Sequence, residues 1–332
     1  MGRSVRWRRR RRCAVRVGVI DCGTNTVRLF IADGQRGDGP LTDVVRVLRF
    51  VQLGQGVDAT RLFRADALAR TFGALDEFAH IIADHGPLDC LRFLATSAAR
   101  DATNRDELFE GVQARLGVVP EIISGEEEAR LSYLGALAGG PTAGGRTLVM
   151  DIGGGSTELI IGDASGVVEV AHSFDMGSVR LRERFLVDDP PTPSQVADAR
   201  GFVAAMLDDG PVHFPGTGGG APMGCFIGVA GTNTSLAAMN LGLTSYDSSL
   251  VHNSMLQPGQ IHRLARHLLA SSVADVTAEY AMLEPMRAGV IAAGSLICDE
   301  VTARVGCELL VRETDILDGA ALDMVRALVA QR

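Results

Sequence analysis

The chain aligns on itself. Residues 17–33 (VGVIDCGTNTVRLFIAD) match residues 147–163 (TLVMDIGGGSTELIIGD) without a gap at an offset of 130. Asp21 falls on Asp151, Gly23 on Gly153, Thr26 on Ser156, Leu29 on Leu159 and Asp33 on Asp163. Such a repeat restricts the fold to two copies of one supersecondary unit. Each copy reads as an apolar strand, an aspartate at its end, a turn of Gly, Thr, Ser or Asn, and a second apolar strand: a β-hairpin with an acidic, hydroxyl-rich tip. Glycines let the backbone approach a ligand, and consecutive N–H groups in such a turn form an anion-binding nest. Two tips facing one another would grip a phosphate chain across a cleft. Two unrelated hairpins sharing turn chemistry are the alternative, and the gapless register with aspartate in both copies argues against it.

Composition narrows the chemistry. At 332 residues, 46% hydrophobic and 22% charged, the chain can build two ordinary cores. No apolar run reaches the roughly 18 residues of a spanning helix, so no membrane partner is expected. There is no lysine, and all 32 basic residues are arginine, which excludes Walker-type P-loops, Schiff-base enzymes and kinases built on a β3 lysine. The seven histidines form neither H-E-x-x-H nor a His-Asp dipeptide, which removes zinc proteases and HD-type hydrolases. The six cysteines contain no C-x-x-C pair, and a reducing cytoplasm is the expected compartment.

The net charge of −8 is unevenly spread. Residues 1–16 hold eight arginines and no acid, leaving 24 arginines against 40 acids in the body. That acidic body speaks against nucleic-acid binding by the fold. The basic arm, 1–15, reads as an unstructured tail or as codons upstream of the true start, with Val15 an alternative start and polyanion binding the functional reading. Arg16 and Asp21 interrupt what would be the apolar core of a signal peptide.

Between the anchors the pattern is alternating α/β. A helical stripe over 65–83 carries Leu68, Phe72, Leu75, Ala79 and Ile82 and stops at Gly86-Pro87. Strands are expected at 90–96, 119–123 and 225–230, and helices from the Asn104/Glu107 capping box to Gly117, at 178–186 and at 195–208. The Gly/Pro stretch from Gly210 to Gly224 reads as a mobile loop. The expected division is lobe I at 16–124, completed by 309–332, and lobe II at 125–308.

Phosphoryl transfer needs a metal, donors on phosphate oxygens, and a group that positions or deprotonates the nucleophile. Mg²⁺ prefers few carboxylates together with waters and substrate oxygens. Asp21, Asp151 and Glu158 are the carboxylates closest to the two tips; turn capping would explain either aspartate alone, but not Glu158, which lies inside a strand. In ISGEEEARL (123–131), Ser124 and Glu127 fit a capping box and Glu126 suits the helix dipole. Glu128 has no such explanation. It either faces inward, where burial would raise its pKa and suit a general base, or belongs to a solvated acidic turn. Arg100 after ATSAA (95–99) is a candidate phosphate fork, with Arg28 and Arg287 of lower weight. Cys22 reads as a small buried apolar residue.

The segments VIDCGTNTVRL (19–29), ATSAARDATN (95–104), ISGEEEARL (123–131), DIGGGSTEL (151–159), GSVRL (177–181) and GVAGTNTSLAA (228–238) resemble, in order, those of the exopolyphosphatase and guanosine pentaphosphate phosphohydrolase family. DILDG (315–319) is similar to the ending of the short actinobacterial members. The resemblance implies an α/β fold of two ribonuclease-H-like lobes around a central cleft, in the acetate kinase, Hsp70 and actin superfamily. It implies release of terminal phosphate from inorganic polyphosphate or from pppGpp with Mg²⁺, or Mn²⁺ in its place. Glu128 would activate water and Asp21, Asp151 and Glu158 would surround the metal. Gly23, Thr24, Asn25, Thr26, Arg100, Gly153, Gly154, Gly155, Ser156, Thr157, Gly231, Thr232 and Arg287 would contact phosphate. Two positions depart from the family pattern: Gly289 stands where Arg-x-Asp is usual, and Leu317-Asp318 replaces Arg-Glu before Gly319. A catalytically weak polyphosphate or alarmone sensor, a sugar or acetate kinase of the same superfamily, and a homodimer stay open.

Overall fold

Both copies of the repeat fold as hairpins at the centre of a sheet. The computed structural model describes residues 14–35, 39–140, 144–215 and 223–330. The first half contains β1 (Ala14–Cys22), β2 (Thr26–Gln35), β3 (Thr42–Phe50), α1 (Val57–Thr60), α2 (Ala65–Asp84), β4 (Cys90–Ala95), α3 (Ser97–Asp101), α4 (Arg105–Leu116), β5 (Glu121–Ile122) and α5 (Gly125–Ala138). Next come β6 (Thr147–Ile152), β7 (Thr157–Gly162), β8 (Val168–Phe174), α6 (Ser178–Arg184), α7 (Pro193–Asp209), β9 (Cys225–Val229), α8 (Ala230–Asn240) and α9 (Ser248–Val251). The chain ends with β10 (Met255–Leu256), α10 (Pro258–Ala270), α11 (Val273–Glu279), α12 (Pro285–Val305), β11 (Leu309–Val311) and α13 (Ile316–Ala330).

One sheet has the order β3-β2-β1-β4-β5, the other β10-β11-β9-β6-β7-β8. Read from β8 to β11, the second repeats the first, with β10 as an added edge strand. In each, the leading strand of the repeat pairs antiparallel with its hairpin partner and parallel with a later strand. These are the two ribonuclease-H-like α/β lobes that the family resemblance implies.

The central strands are apolar on both faces because helices cover both sides. On the first sheet, Ile20, Leu29 and Ile31 pack with Leu75 and Phe78 of α2. Val17, Val19 and Phe30 on the opposite face lie under Ala320, Ala321 and Met324 of α13. On the second sheet, Leu148 and Met150 share a core with Leu236 of α8 and Leu296 of α12, while Val149 and Ile160 meet Ala129, Tyr133 and Ala136 of α5. Helices α5 and α13 then cross each other and join the lobes. Two glycines permit this approach: a Cβ at Gly135 would lie 1.7 Å from the Asp315 carbonyl oxygen, and one at Gly319 would lie 1.9 Å from that of Leu131.

Several expectations change. Of residues 309–332, expected to complete lobe I, the first part does not return there: β11 pairs with β9 in the second sheet, and α13 crosses back. Ala14 and Val15, assigned to the arm, begin β1 opposite Gln35 and Gly34. Residues 1–13 of that arm, and 216–222 of the Gly210–Gly224 loop, lie outside the described residues. The buried face of α2 runs through Leu68, Thr71, Leu75 and Phe78, whereas Phe72 turns toward α4, where Gly111 has no side chain to obstruct it. Asn104 does not cap α4, because its amide is committed to the backbone of Phe63. Ser124 does cap α5 through the Glu127 N–H, but Glu127 pairs with Arg130 instead of reaching back. Among the described residues no helix is long and apolar enough to cross a membrane.

Because the α5–α13 crossing is limited by backbone, G135A or G319A should force the helices apart and cost about 2–3 kcal/mol. Chemical denaturation would measure this; unchanged stability in both variants would mean that the crossing yields freely.

Candidate active site

The same hydrogen bond closes both hairpin tips. Gly23 N–H donates to the Thr26 carbonyl at 2.9 Å, and Gly153 N–H donates to the Ser156 carbonyl at 3.0 Å. The tips converge across the lobes. A Cβ at Gly154 would stand 2.9 Å from Thr24 Cβ, and one at Gly155 would stand 2.5 Å from Ser97 Oγ and 2.7 Å from Thr24 Oγ1. Only glycine allows this contact. A cavity of about 580 Å³ opens beside it, lined by Asp21, Gly23, Thr24, Asn25, Thr26, Arg28, Glu128, Asp151, Gly153, Gly154, Gly155, Ser156, Gly231 and Arg287.

The start of α6 organises the second tip. Ser178 N–H donates to the Gly153 carbonyl at 2.9 Å, and Val179 and Arg180 N–H groups donate to the Gly154 carbonyl at 2.8 and 3.1 Å. Arg180 Nε takes the Gly155 carbonyl at 2.8 Å. In a trans peptide the N–H points opposite to the carbonyl of the same unit. Holding three successive carbonyls on α6 therefore turns the N–H groups of Gly154, Gly155 and Ser156 the other way, as an anion-binding nest. On the facing tip, Asn25 is buried and neither its Oδ1 nor its Nδ2 has a partner, which leaves an amide able to bind an oxyanion.

The carboxylates differ between the copies. Asp21 lies opposite Arg28 in the β1–β2 ladder, and its Oδ2 accepts from Arg28 Nη2 at 2.7 Å and Nε at 3.1 Å. Arg28 also pairs with Asp315. The repeat-equivalent pair is Asp151 opposite Glu158, so an acid stands where the first copy has its arginine. Asp151 Oδ2 accepts from Ser132 Oγ at 2.7 Å, and Glu158 Oε1 from Ser173 Oγ at 2.6 Å. Burial raises Asp151 to about 6 against the Ser132 hydrogen bond. Burial, then the charges of Glu128 and Asp151, raise Glu158 well above the usual range. Burial also lifts Asp21 against the pull of Arg28.

Glu128 is 9% exposed and faces the cavity, not solvent. Burial raises its carboxyl to about 7, opposed by Arg100, whose Nη1 lies 2.7 Å from Oε2. Arg287 lines the cavity beside Phe50, and burial, then the charge of Arg28, pushes its pKa down to about 10. Among the described residues no three His, Cys, Asp or Glu side chains are grouped so as to hold a metal ion. A hard cation that brings its own waters needs fewer. The unbalanced Asp151–Glu158 pair and the unpartnered Asp21 Oδ1 suit one that takes few protein carboxylates.

Four expected site residues stand behind the cavity wall. Arg100 is absent from the cavity lining, and its Nη1 donates to both Glu128 and the Ile123 carbonyl. Glu158 is 1% exposed and sits beneath Asp151. Thr157 is buried in β7 and donates to the Met176 carbonyl, while Thr232, buried at the start of α8, is 3.5 Å from the Ile152 carbonyl. Conversely, Arg46, Ser97, Tyr246 and Asp315 line the cavity without having been singled out. Arg46 and Tyr246 lie in segments with no motif of their own, Ser97 and Asp315 lie inside ATSAARDATN and DILDG with no local feature that marks them, and the packing of distant elements brings all four in. Cys22 is buried, and burial, then Asp21, pushes its thiol pKa up, as an inert core thiol requires.

Comparison with known proteins identifies the family and the fold. A model of the Ppx/GppA phosphatase family matches residues 30–310. Exopolyphosphatase 2 of Mycobacterium tuberculosis is 39% identical over 93% of this chain and 98% of its own length. A guanosine-5'-triphosphate,3'-diphosphate pyrophosphatase of Vibrio campbellii is 30% identical over 82% of this chain and 53% of its own. The crystal structure of an exopolyphosphatase-like protein superposes with a TM-score of 0.89 at 38% identity, covering 96% of this chain and 100% of that one. A family model over most of its length and relatives of 38–39% identity that match it nearly end to end show that the chain belongs to the Ppx/GppA phosphatase family.

Proposed function

We propose that the protein hydrolyses the terminal phosphoryl group of inorganic polyphosphate by in-line attack of water. The observation that carries this reading is the placing of Glu128, with its pKa near 7, in the same cavity as the two converging tips. The nest of Gly154, Gly155 and Ser156 binds equatorial oxygens of the end phosphoryl, and Asn25 and Arg287 bind oxygens nearer the rest of the chain. Glu128 accepts a proton from water as its oxygen forms the new P–O bond. The bridging P–O bond breaks, and its electron pair leaves with the shortened chain. Asp151 and Asp21, which line the cavity, would hold Mg²⁺ or Mn²⁺, with Glu158 behind Asp151 adding the negative charge that favours a cation, and the ion when bound would neutralise phosphate oxygens. Arg100 acts through Glu128, favouring the ionised form that a base needs. Cys22, Cys90, Cys298 and Cys307 are free thiols, which fits a reducing cytoplasm.

A second reading, removal of the 5'-phosphate of pppGpp, is favoured by one feature of the cavity. Val47, Leu48, Phe50, Met282, Leu283 and Tyr246 form an apolar flank that a bare phosphate chain does not use and a nucleoside would. Phosphate release from long polyphosphate, tripolyphosphate and pppGpp, measured in parallel, separates the readings: the highest kcat/KM is expected on polyphosphate, and preference for pppGpp would establish the second. No release from any of them would leave a binding protein.

E128Q should lower kcat by roughly 10²–10⁴-fold with affinity largely kept. Near wild-type turnover would remove Glu128 as the base. Wild-type kcat/KM should rise with pH through about 7 as Glu128 ionises. The stability effect has the opposite sign. A carboxyl whose folded pKa lies above its unfolded value destabilises the fold as pH rises from about 4.5 to about 7. At pH 8 the metal-free E128Q protein should therefore be more stable than wild type by about 1–3 kcal/mol. Equal or lower stability would contradict the burial argument. R100A, by removing the cation beside Glu128, should move the acidic limb to higher pH; an unmoved limb with weakened, salt-dependent binding would restore Arg100 to direct phosphate contact.

A further inference from the structure

Arg180 is 7% exposed and makes three hydrogen bonds in one guanidinium plane. Nε takes the Gly155 carbonyl of the second tip at 2.8 Å, Nη1 pairs with Asp58, and Nη2 donates to Asp101 Oδ2 at 2.6 Å. The first acceptor belongs to one lobe and the other two to the opposite lobe. The surroundings reinforce this crossing. Arg184, one turn further along α6, pairs with Asp58, and the Gly56 N–H donates to Glu183 at 3.0 Å. Arg180 does not line the main cavity, and with two aspartates on it, it is not a spare cation for substrate.

Its partners lead to the reacting groups. Gly155 is the middle residue of the nest. Asp101 ends α3, the five-residue helix that also carries Arg100, whose guanidinium holds Glu128 at 2.7 Å. The path Gly155, Arg180, Asp101, Arg100, Glu128 thus links the oxyanion donors to the group that would activate water. A guanidinium offers Nε and two Nη donors in a rigid fork, whereas an ammonium concentrates its donors on one atom. Lysine could keep one of the three contacts at full length, not all of them.

We propose that Arg180 is a positioning residue that sets the nest in register with Glu128 and makes that register depend on apposition of the lobes. This rests on the hydrolase reading above. The experiment compares wild type, R180K, R180A and D101N by steady-state phosphate release, by calorimetric binding of tripolyphosphate, and by melting temperature. R180K and R180A should lose at least tenfold in kcat per folded molecule while tripolyphosphate affinity weakens about threefold. D101N should follow in the same direction with a smaller loss. Guanidinium ion at low millimolar concentration should restore part of the R180A rate and leave wild type unchanged. The proposal is overturned by unchanged kcat in R180K, by a loss confined to KM, or by a lower melting temperature with full turnover per folded molecule. If R180K does not fold, D101N and the guanidinium rescue decide, and failure of both overturns it. Wild-type protein that releases no phosphate would sink the hydrolase reading instead. Arg180 would then be judged by tripolyphosphate affinity, where R180K with undiminished binding removes it from the site.

Discussion

Three buried carboxylates, Glu128, Asp151 and Glu158, stand near one another, and among the described residues one arginine, Arg100, is in contact with the group. Taking ionised carboxyls out of water is unfavourable, and like charges add to the cost, so each carboxyl is held above its ordinary pKa. Two serine hydroxyls, from Ser132 and Ser173, offset only part of this. The sheets on either side are apolar on both faces and buried under α2, α13, α5, α8 and α12, and that burial lets the fold carry an unfavourable site. Stability is given up at the carboxyls to which the proposed function assigns the base and the cation site, and strongly perturbed carboxyls of this kind cluster at functional sites.

The duplicated hairpin shows how one scaffold supplies opposite electrostatics. Strand register, the closing bond of the tip and the aspartate at the end of the first strand are common to both copies. At the position opposite that aspartate, the first copy has Arg28 and the second Glu158. In the first copy Asp21 is accordingly countered from within its own hairpin by Arg28, which also pairs with Asp315, and the tip presents the unpartnered Asn25 amide. The second remains acidic and presents its backbone nest. Under the proposed function this one exchange would sort substrate oxygens and any accompanying cation between the lobes, and the Gly135–Gly319 crossing of α5 and α13 holds the lobes close enough for both tips to share a cavity.

Much of this was legible before the coordinates. The gapless repeat implied two equivalent hairpins, because strand period and turn chemistry are local properties carried by residues a few positions apart. Glu128 could be singled out because Ser124 and Glu127 explain the start of α5 and leave it over. Arg100 and Thr157 were read less well. Each has the right chemistry and lies in a motif, but Arg100 is engaged by Glu128, 28 positions on, and Thr157 points to the Met176 carbonyl, 19 positions on. Arg180 gave no signal as a bridge, since its acceptors lie 25, 79 and 122 positions away. Leu309–Val311 was placed with the wrong lobe because a short apolar strand does not encode which sheet edge it joins.

The amino-acid order alone determined the element types, the duplicated unit and the acidic, glycine-rich character of its tips, for these depend on dihedral preferences and on the spacing of apolar and polar residues. Tertiary structure decided which side chains face the cavity, which arginines are neutralised by distant carboxylates, and how far burial displaces each pKa. Those quantities depend on distance and dielectric, and both are set by which remote segments pack together.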